Sequence, residues 1–534
     1  MDKQATQPTK PVRETIKIVD LFAGPGGLGE GFSSHGAFQI VVSAEMEASA
    51  HATLRLRAFY RNLNKLGTGT TTAPYFKLCN DKLAPPRNET DLPEGWNDQT
   101  QKAWKDACSE ALQLTLGEPE SNAQLNRAIT NHKIGRDIPW VLIGGPPCQA
   151  YSLVGRARNK GKADYKAEDD HRHFLYKEYL RIITENRPYV FVMENVKGIL
   201  SSTVGGQRIF LSILNDLAGC GYRIHSLVAD VCFNQGDDPA EVDSREFIVR
   251  AEQYGVPQAR HRVILLGVRE DICERKGPCW TPSVLQEARP VSVKQVIGDL
   301  PPLRSRISKG EDSAERWKAL LVKHSRELAD QARLKEYGLN AVAEKLDLVT
   351  VETDFPAGAG EDRSGYNPPE QCSKELSDWY AAGGPTKQLL YLMNHEARGH
   401  MPSDLKRYVY AAAFAKATGY SPKGHKEFAL KGLAPDHENW ESGKFADRFR
   451  VQLENKPATT ITSHIAKDGH YFIHYDPLQC RSLTVREAAR LQTFPDDYSF
   501  QGNRTQQYHQ VGNAVPPFLA AQISKIVFGI LENI

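Results

Sequence analysis

The sequence predicts an α/β fold in which a mostly parallel sheet carries helices on both faces. Short apolar runs bounded by glycine or proline, which are typical of buried strands, alternate with helical stretches along the first half. The first run leads through a glycine-rich turn into a helix, as at the start of a βαβ unit. At 534 residues the chain exceeds one ordinary core, so we expect about two or three domains.

The strands and helices of the first half follow one another in the order that such a sheet requires. The first strand covers 16–22 and leads into the glycine turn at 24–29, which opens a helix. The second strand covers 39–43, with Glu45 just beyond it. Later strands are predicted at 140–143, 189–193 and 263–268, with helices at 174–186 and 207–218. This alternation indicates a Rossmann-like sheet.

A polar, partly helical region interrupts the alternation at 61–137. Trp104, Cys108, Ala111 and Leu112 recur near helical spacing within it. We interpret the region as an insertion into the nucleotide-binding half.

Beyond Arg269 the alternation is lost, which predicts a second domain over 271–456. Its sequence contains a charged helical stretch, a loop rich in glycine, proline and acidic residues, and an aromatic helix, at 313–345, 354–370 and 404–418. Regular structure returns in 457–534. We expect a helix at 482–493 and a final helix at 518–531 that packs against the sheet.

The composition is that of a soluble globular protein, with a formal charge of +2 that identifies no partner by itself. No run of ~18 or more apolar residues is present and residues 1–13 are polar, so we expect neither a membrane span nor a signal peptide. Nine scattered cysteines without a CxxC pair fit a reducing compartment, and no metal site is implied. We therefore expect a cytoplasmic protein.

The glycine turn has the spacing of an adenosine-cofactor site. Gly24, Gly26 and Gly29 match GxGxxG, and Glu45 lies near the expected ~20 residues beyond the first glycine. Glycines let the backbone approach a ligand closely, and a carboxylate at the end of the second strand can accept hydrogen bonds from ribose hydroxyls. The pattern alone does not separate NAD from S-adenosylmethionine, and a tight turn without a ligand would look the same.

Reactive side chains follow the later strands. Cys148 lies on a loop of glycines and prolines after the strand at 140–143, and Glu194 follows the strand at 189–193. In a parallel sheet these two groups emerge at the same edge, where ligands of open α/β sheets bind. Arg260 and Arg262 precede another strand and, being two apart, point to the same face of an extended segment.

Together these residues resemble the ordered motif series of the DNA (cytosine-5) methyltransferases. The matching segments are DLFAGPGGLGEGF, GGPPCQAYS, ENVKG, YGVPQARHRVILLGVR, RSLTVREAARLQTFP and QVGNAVPP. The resemblance implies a Rossmann-like methyltransferase domain over 1–270, a smaller, irregular target-recognition domain over 271–456, and a return to the catalytic domain over 457–534.

The resemblance also implies catalytic roles. Cys148 would add as a thiolate to carbon 6 of cytosine, and Glu194 would hydrogen-bond ring nitrogen 3 and the exocyclic amine. Arg262 would hold the carbonyl oxygen, with Arg260 nearby positioning a phosphate or the thiolate region. The methyl group would come from S-adenosylmethionine, leaving S-adenosylhomocysteine.

The implied substrate is duplex DNA, from which the target cytosine must be flipped out. The basic segment 155–162 would then close over phosphates as a mobile loop. The residues expected to bind DNA are Gln149, Ser152, Arg156, Arg158, Lys160, Thr459 and Thr460. Further candidates lie in the second domain: Asn394, His395, Glu396, Arg398, His400 and the segment 448–463.

The cofactor residues implied by the resemblance come from both ends of the chain. They are Phe22, Ala23, Gly24, Gly27, Leu28, Glu45, Met46, Pro146, Asn513 and Val515. Two departures from the family pattern stand out. The acidic motif that contacts the adenine amine is not identifiable after a third strand, and a second insertion covers about 232–245.

Three alternatives remain at this point. A tRNA cytosine-5 methyltransferase could use the same catalytic residues, and a catalytically silent DNA-binding module could share the fold. An NAD-dependent oxidoreductase would share only the glycine turn. On the favoured reading we expect a nucleoid-associated monomer that acts on double-stranded DNA, with companion restriction or defence proteins encoded nearby.

Overall fold

The computed structural model describes residues 15–67, 72–135, 137–147, 174–204, 207–360, 369–381, 389–436, 440, 448–532 and 534. Among these residues, nine strands form one sheet in the order β3-β2-β1-β4-β5-β12-β8-β9, with β10 also paired to β12. The strands of this sheet are β1 (Ile16–Leu21), β2 (Phe38–Glu45), β3 (Ala111–Gln113), β4 (Trp140–Gly144), β5 (Val190–Val196), β8 (Tyr222–His225), β9 (Cys232–Phe233), β10 (Ile248–Arg250) and β12 (His261–Arg269).

Three two-stranded pairs lie outside the main sheet in the described part of the chain. They are β6 (Thr203–Val204) with β7 (Gln207–Arg208), β11 (Gln258–Ala259) with β15 (Ala458–Thr459), and β13 (Arg306–Ile307) with β14 (Gly399–His400).

The first five strands of the sheet are parallel, and β12 runs antiparallel to β5. The start of β12 therefore lies at the same edge as the ends of β1, β4 and β5. β4 is buried along its whole length and β5 is apolar and buried from Val190 to Met193, as strands covered on both faces are. This architecture confirms the predicted α/β fold.

The helices cover both faces of the sheet and build the region after it. Those of the first half are α1 (Gly27–Ser33), α2 (Ala48–Asn64), α3 (Ala73–Asn80), α4 (Asp98–Glu110), α5 (Pro119–Asn131), α6 (Phe174–Asn186), α7 (Ile209–Gly219) and α8 (Glu270–Lys276). Those of the second half are α9 (Val293–Ile297), α10 (Ala314–Ala332), α11 (Asn340–Val351), α12 (Lys374–Tyr380), α13 (Pro402–Thr418), α14 (Gly424–Glu427), α15 (Val485–Leu491), α16 (Arg504–Asn513) and α17 (Pro517–Leu531).

The last helix, α17, packs against the first, as expected from its apolar residues. Gly31 of α1 lies so close to Ala520 and to the Pro517 carbonyl that a side chain there would overlap both. The beginning and end of the chain therefore share one core.

The region 61–137 differs from the sequence interpretation. Trp104 and Cys108 lie on α4, but that helix ends at Glu110, and Ala111 and Leu112 form β3 beside β2. The backbone of β2 offers a free sheet edge, and pairing with it overrides the helical spacing. This region thus supplies a strand of the main sheet, β3, which pairs with β2.

The region 271–456 is mainly helical in its described part. The buried faces of α10, α11 and α13 belong to the same hydrophobic cluster as the final helix, with Trp317, Leu346 and Tyr408 among its fully buried members. The proposed domain boundaries at 271 and 456 stay a prediction.

One helical stretch of the described chain, Arg504–Leu531, has the length and apolar composition of a membrane span. Its most apolar window is 72% buried inside the protein. Since α17 packs on α1, this burial is typical of a core helix.

Candidate active site

Glu194 and Arg262 form an ion pair at the edge of the sheet. The Arg262 Nε lies 2.7 Å from a carboxylate oxygen of Glu194, and both side chains are largely buried. Strand pairing explains the contact. Arg262 is opposite Val196 and Glu194 is opposite Ile264, so the two are diagonal neighbours on the same face. Glu194 belongs to β5 itself and does not follow it, because that strand runs on to Val196.

Cys148 lies outside the described residues, but the backbone that leads to it is described. Gly145 lies against Glu194, since a Cβ there would be 3.0 Å from the carboxylate. The Asn195 amide donates a hydrogen bond to the Pro146 carbonyl at 3.2 Å. Sequence reasoning missed Asn195 as a positioning residue, although it stands beside Glu194 in the ENV motif. The chain thus approaches Cys148 directly beside the Glu194–Arg262 pair.

The expected DNA-binding residues Gln149, Ser152, Arg156, Arg158 and Lys160 also lie outside the described residues. Their assignment stays a prediction from the sequence.

Arg260 has a different environment from the one expected. Its side chain is 1% exposed and donates hydrogen bonds to the backbone carbonyls of Ile461 and Gly512, at 2.9 and 3.2 Å. Burial, together with the positive charge of Arg262, lowers its pKa well below the usual range. Arg260 therefore joins the connection between β11 and β12 to the C-terminal segment 457–534. The sequence interpretation instead placed its side chain on a phosphate or near the thiolate.

Thr459 and Thr460 line a groove beside the start of β12. Two contacts bring the sides of the groove together. β15 pairs in parallel with β11, and the Thr460 hydroxyl donates a hydrogen bond to the Ala259 carbonyl at 2.6 Å. The residues that line it are Ala259, His261, Arg450, Thr459, Thr460, Thr462, His464, Tyr471 and Phe472. His261 is held by Glu252 at 2.7 Å. The groove is thus polar, aromatic and partly cationic.

The candidate DNA contacts at 394–400 are mostly structural. His395, Arg398 and His400 are buried, and their ring or guanidinium nitrogens bond the Pro301 carbonyl, the Ile465 carbonyl and the Ser482 hydroxyl, respectively. Burial lowers the pKa of both histidines. These three residues join the segment 394–400 to neighbouring parts of the fold, and the sequence interpretation of them as DNA contacts is wrong because their side chains are buried.

The glycine turn presents open backbone at the end of β1. Gly24 has φ 57° and Gly26 has φ 94°, conformations that glycine adopts without strain. A Cβ at Gly24 would meet no atom within 4 Å, so this position faces open space. The Gly24 amide donates to Glu45 at 2.8 Å, and the Glu47 amide donates to the other carboxylate oxygen. Burial raises the pKa of Glu45, and these amides oppose that shift.

The other residues expected to bind the cofactor differ in how far they are exposed. Gly27 touches the Val515 carbonyl so closely that any side chain would overlap it, which joins the two chain ends. Met46 is 60% exposed, whereas Leu28 and Pro146 are buried. Of the remaining three, Phe22 and Ala23 are half-buried and Asn513 is exposed. An open glycine backbone beside a carboxylate fits an adenosine cofactor.

The third strand, which sequence reasoning did not identify, is β3. It ends at Gln113, in register with Glu45 of β2, and the Gln113 amide donates to the Met46 carbonyl at 3.3 Å. A short apolar run that ends in a polar residue, Ala111–Gln113, follows directly after the helical pattern of α4 and could have indicated this strand.

Asp20 is fully buried below the glycine turn, near Gly29. Burial raises its pKa to about 8, and the Arg61 charge acts in the opposite direction. The folded protein therefore binds more protons at this carboxyl than the unfolded chain between about pH 4 and pH 8. Through this group, stability falls as the pH rises through that window.

Asp20→Asn should remove this dependence. The measured quantity is the free energy of unfolding of the variant minus that of wild type. This difference should increase by at most about 1.4 kcal/mol per pH unit up to about pH 8, and stay constant above it. Urea unfolding at pH 5 to 9 measures the difference. The exposed Asp81→Asn serves as control, and parallel curves for wild type and Asp20→Asn would contradict the expectation.

The fold and this edge define an α/β enzyme of the methyltransferase class, with a cofactor turn and a polar reactive pair on neighbouring strands. The sequence pattern of the C-5 cytosine-specific DNA methylases matches residues 102–528. The type II methyltransferase M.Bpa9945I of Bacillus paralicheniformis is 31% identical over 520 residues, covering 97% of this chain and 99% of that protein. The DNA (cytosine-5-)-methyltransferase M.ApeKI of Aeropyrum pernix is 26% identical over 544 residues, with coverage of 97% and 99%.

A solved structure from Escherichia coli, a prophage-encoded candidate DNA modification methyltransferase, has a TM-score of 0.52 at 19% identity. It covers 97% of this chain and 100% of its own, which supports the fold. The chain belongs to the C-5 cytosine-specific DNA methylase family and is a DNA (cytosine-5) methyltransferase.

Proposed function

We propose that the enzyme flips a cytosine out of duplex DNA and methylates its carbon 5 through a covalent bond to Cys148, using S-adenosylmethionine. One observation carries the proposal. The glycine turn follows β1, the approach to Cys148 follows β4, and the Glu194–Arg262 pair lies within the end of β5 and the start of β12; these four strands are adjacent in the sheet. In register, Leu21 lies beside Gly144, and Gly144 lies beside Met193. A cofactor and a base can therefore meet at one edge.

The cofactor would lie over the glycine turn. Gly24 leaves its backbone open, and the Glu45 carboxylate keeps acceptor capacity for ribose hydroxyls beyond its two amide bonds. When bound, S-adenosylmethionine supplies an electrophilic methyl group to carbon 5 and becomes S-adenosylhomocysteine.

The protein side chains would activate the ring. The Cys148 thiolate forms a bond to carbon 6, and the electron pair of the ring double bond becomes available at carbon 5. Glu194 hydrogen-bonds ring nitrogen 3 and the exocyclic amine, and Arg262 binds the carbonyl oxygen, so charge does not accumulate on the ring. After methylation the carbon 5 proton leaves to water, the bond to sulfur breaks, and the double bond and the thiolate are restored.

The groove beside β12 is the proposed path of the DNA strand next to the flipped base. Arg450 supplies a cation, His261 an imidazole, Thr459 and Thr460 hydroxyls, and Tyr471 an aromatic ring. Such groups bind phosphate and sugar and fix the position of the duplex without reading its sequence. Sequence choice would come from the region 271–456.

Methyl transfer from labelled S-adenosylmethionine tests this function. Unmethylated genomic DNA and tRNA are offered separately, and the modified bases are mapped at single-base resolution. We expect 5-methylcytosine within one short sequence of duplex DNA. Labelling of tRNA with no label in DNA would overturn the proposed substrate.

The type II methyltransferases among the relatives support a role in restriction-modification. We propose that the enzyme acts as a monomer beside the nucleoid and protects DNA from a companion nuclease encoded nearby. DNA from cells that express the enzyme should resist that nuclease, and DNA from cells without it should be cut.

The basic segment after Cys148 is proposed to close over DNA phosphates. Replacing Arg156, Arg158 and Lys160 with alanine should reduce the slope of log K against log salt by about 2 to 3, since each phosphate contact contributes ~0.9. Fluorescence anisotropy with duplex DNA at several salt concentrations gives the slope. The matched control replaces the exposed cations Lys105, Arg127 and Lys133 of α4 and the α5 region. A slope equal to that of wild type would contradict the proposal.

A further inference from the structure

A buried arginine on α2 holds together three chain segments around the glycine turn. Arg57 is 4% exposed. Its guanidinium bonds both carboxylate oxygens of Glu30 on α1, at 2.5 and 2.9 Å, and an oxygen of Asp497 at 3.0 Å. Asp497 belongs to the segment between α15 and α16. The guanidinium also lies over the rings of Tyr60 and Tyr498, at 4.2 and 4.8 Å from their centres.

The partners of Arg57 contact the turn directly. The Tyr498 hydroxyl donates to the Pro25 carbonyl within the turn. A Cβ at Gly26 would lie 3.0 Å from the same hydroxyl, so the Tyr498 side chain packs against the turn. The Glu30 amide donates to the Gly26 carbonyl at 2.8 Å. Residues that Arg57 contacts therefore bond or pack against the turn at Pro25 and Gly26.

The charges of this cluster require an arginine. Glu30 and Asp497 are both buried carboxylates, and the neighbouring Arg61 is bonded to Glu110 and lies 3.8 Å from Glu30. Burial alone would raise the pKa of Glu30, but Arg57 holds it below its usual range. A lysine preserves the charge, yet its single ammonium cannot reproduce a planar fork that spans two carboxylates.

We propose that Arg57 is a positioning residue for cofactor binding, which acts through Glu30 and Tyr498 on the backbone of the glycine turn. This inference rests on the proposed use of S-adenosylmethionine. It extends the cofactor site to a side chain that touches neither the cofactor nor the DNA.

Isothermal titration of S-adenosylhomocysteine into Arg57→Lys tests the inference. We expect the Kd to rise by about tenfold or more, because small displacements of a binding backbone are costly. At saturating S-adenosylmethionine, kcat should stay within about twofold of wild type, and the Kd for duplex DNA should be unchanged. Tyr498→Phe keeps the packed ring and loses the bond to Pro25, so it should weaken cofactor binding in the same direction without disturbing the buried charges.

The control is Arg269→Lys, at the opposite end of β12. Arg269 is also buried, bonds both oxygens of Asp271, and stacks on Tyr189 at 4.1 Å. Equal weakening in this variant, or an unchanged Kd in both Arg57→Lys and Tyr498→Phe, would overturn the positioning role. If wild type itself does not bind S-adenosylhomocysteine, the proposed cofactor fails, which is a separate result.

Discussion

Cys148→Ser should lower methyl transfer to DNA by more than about 10³-fold, because a serine hydroxyl is not ionised at neutral pH and adds poorly to carbon 6. The measurement is incorporation of labelled methyl groups into duplex DNA that contains the mapped sequence. Binding of DNA and of S-adenosylhomocysteine should be preserved, since serine is close to cysteine in size. The loss would therefore appear in kcat.

Cys279 provides the matched control for this substitution, because it is a free cysteine with an exposed side chain. Cys279→Ser should retain full activity. If Cys148→Ser were as active as Cys279→Ser, the covalent mechanism would be ruled out while the family assignment would stand.

Glu194→Gln should reduce kcat by about 10²- to 10³-fold, within the range for loss of a group that shares a proton with the substrate. Glutamine has nearly the same shape, but it cannot share a proton with ring nitrogen 3. It also lacks the charge that holds Arg262 at 2.7 Å. Single-turnover rates with saturating DNA and cofactor separate this chemical effect from binding.

Glu178→Gln is the control for the loss of a carboxylate. Glu178 lies on α6, is paired with Arg181 at 3.0 Å, and is also partly buried. Its activity should match wild type. A Glu194→Gln enzyme that keeps its single-turnover rate would contradict the proposed role of Glu194 in ring activation.

Much of the site could be predicted because its residues adjoin short apolar strands. Such strands are recognisable by their composition. Because neighbouring parallel strands end at the same edge of a sheet, the sequence predicts that Glu194 and the residues leading to Cys148 lie close together. The end of β4 was predicted within one residue. The sequence places the end of β5 before Glu194, because a charged residue is not typical of a buried strand. Pairing with the antiparallel strand β12 extends β5 to Val196.

The remaining features depend on contacts between distant residues, which local patterns do not contain. The local sequence around Arg260 does not indicate that its guanidinium is buried against the Ile461 and Gly512 carbonyls, which belong to distant segments. Likewise, Asn195 and Arg57 form hydrogen bonds with residues 49 and 440 positions away in the sequence. Helical spacing concealed β3, because the pairing that makes it a strand comes from β2.

The short parallel pair of β11 and β15 also fixes where the chain returns to the main sheet. Gln258 and Ala259 are in register with Ala458 and Thr459, at the point where the chain comes back from the region 271–456 to the start of β12. A slip of one residue would shift that return by ~3.3 Å and turn its side chains to the opposite face. Successive base pairs are ~3.4 Å apart, so the slip would amount to about one step of the duplex. On the proposed function, this two-residue backbone pairing would set the number of base pairs between the sequence recognised and the cytosine methylated.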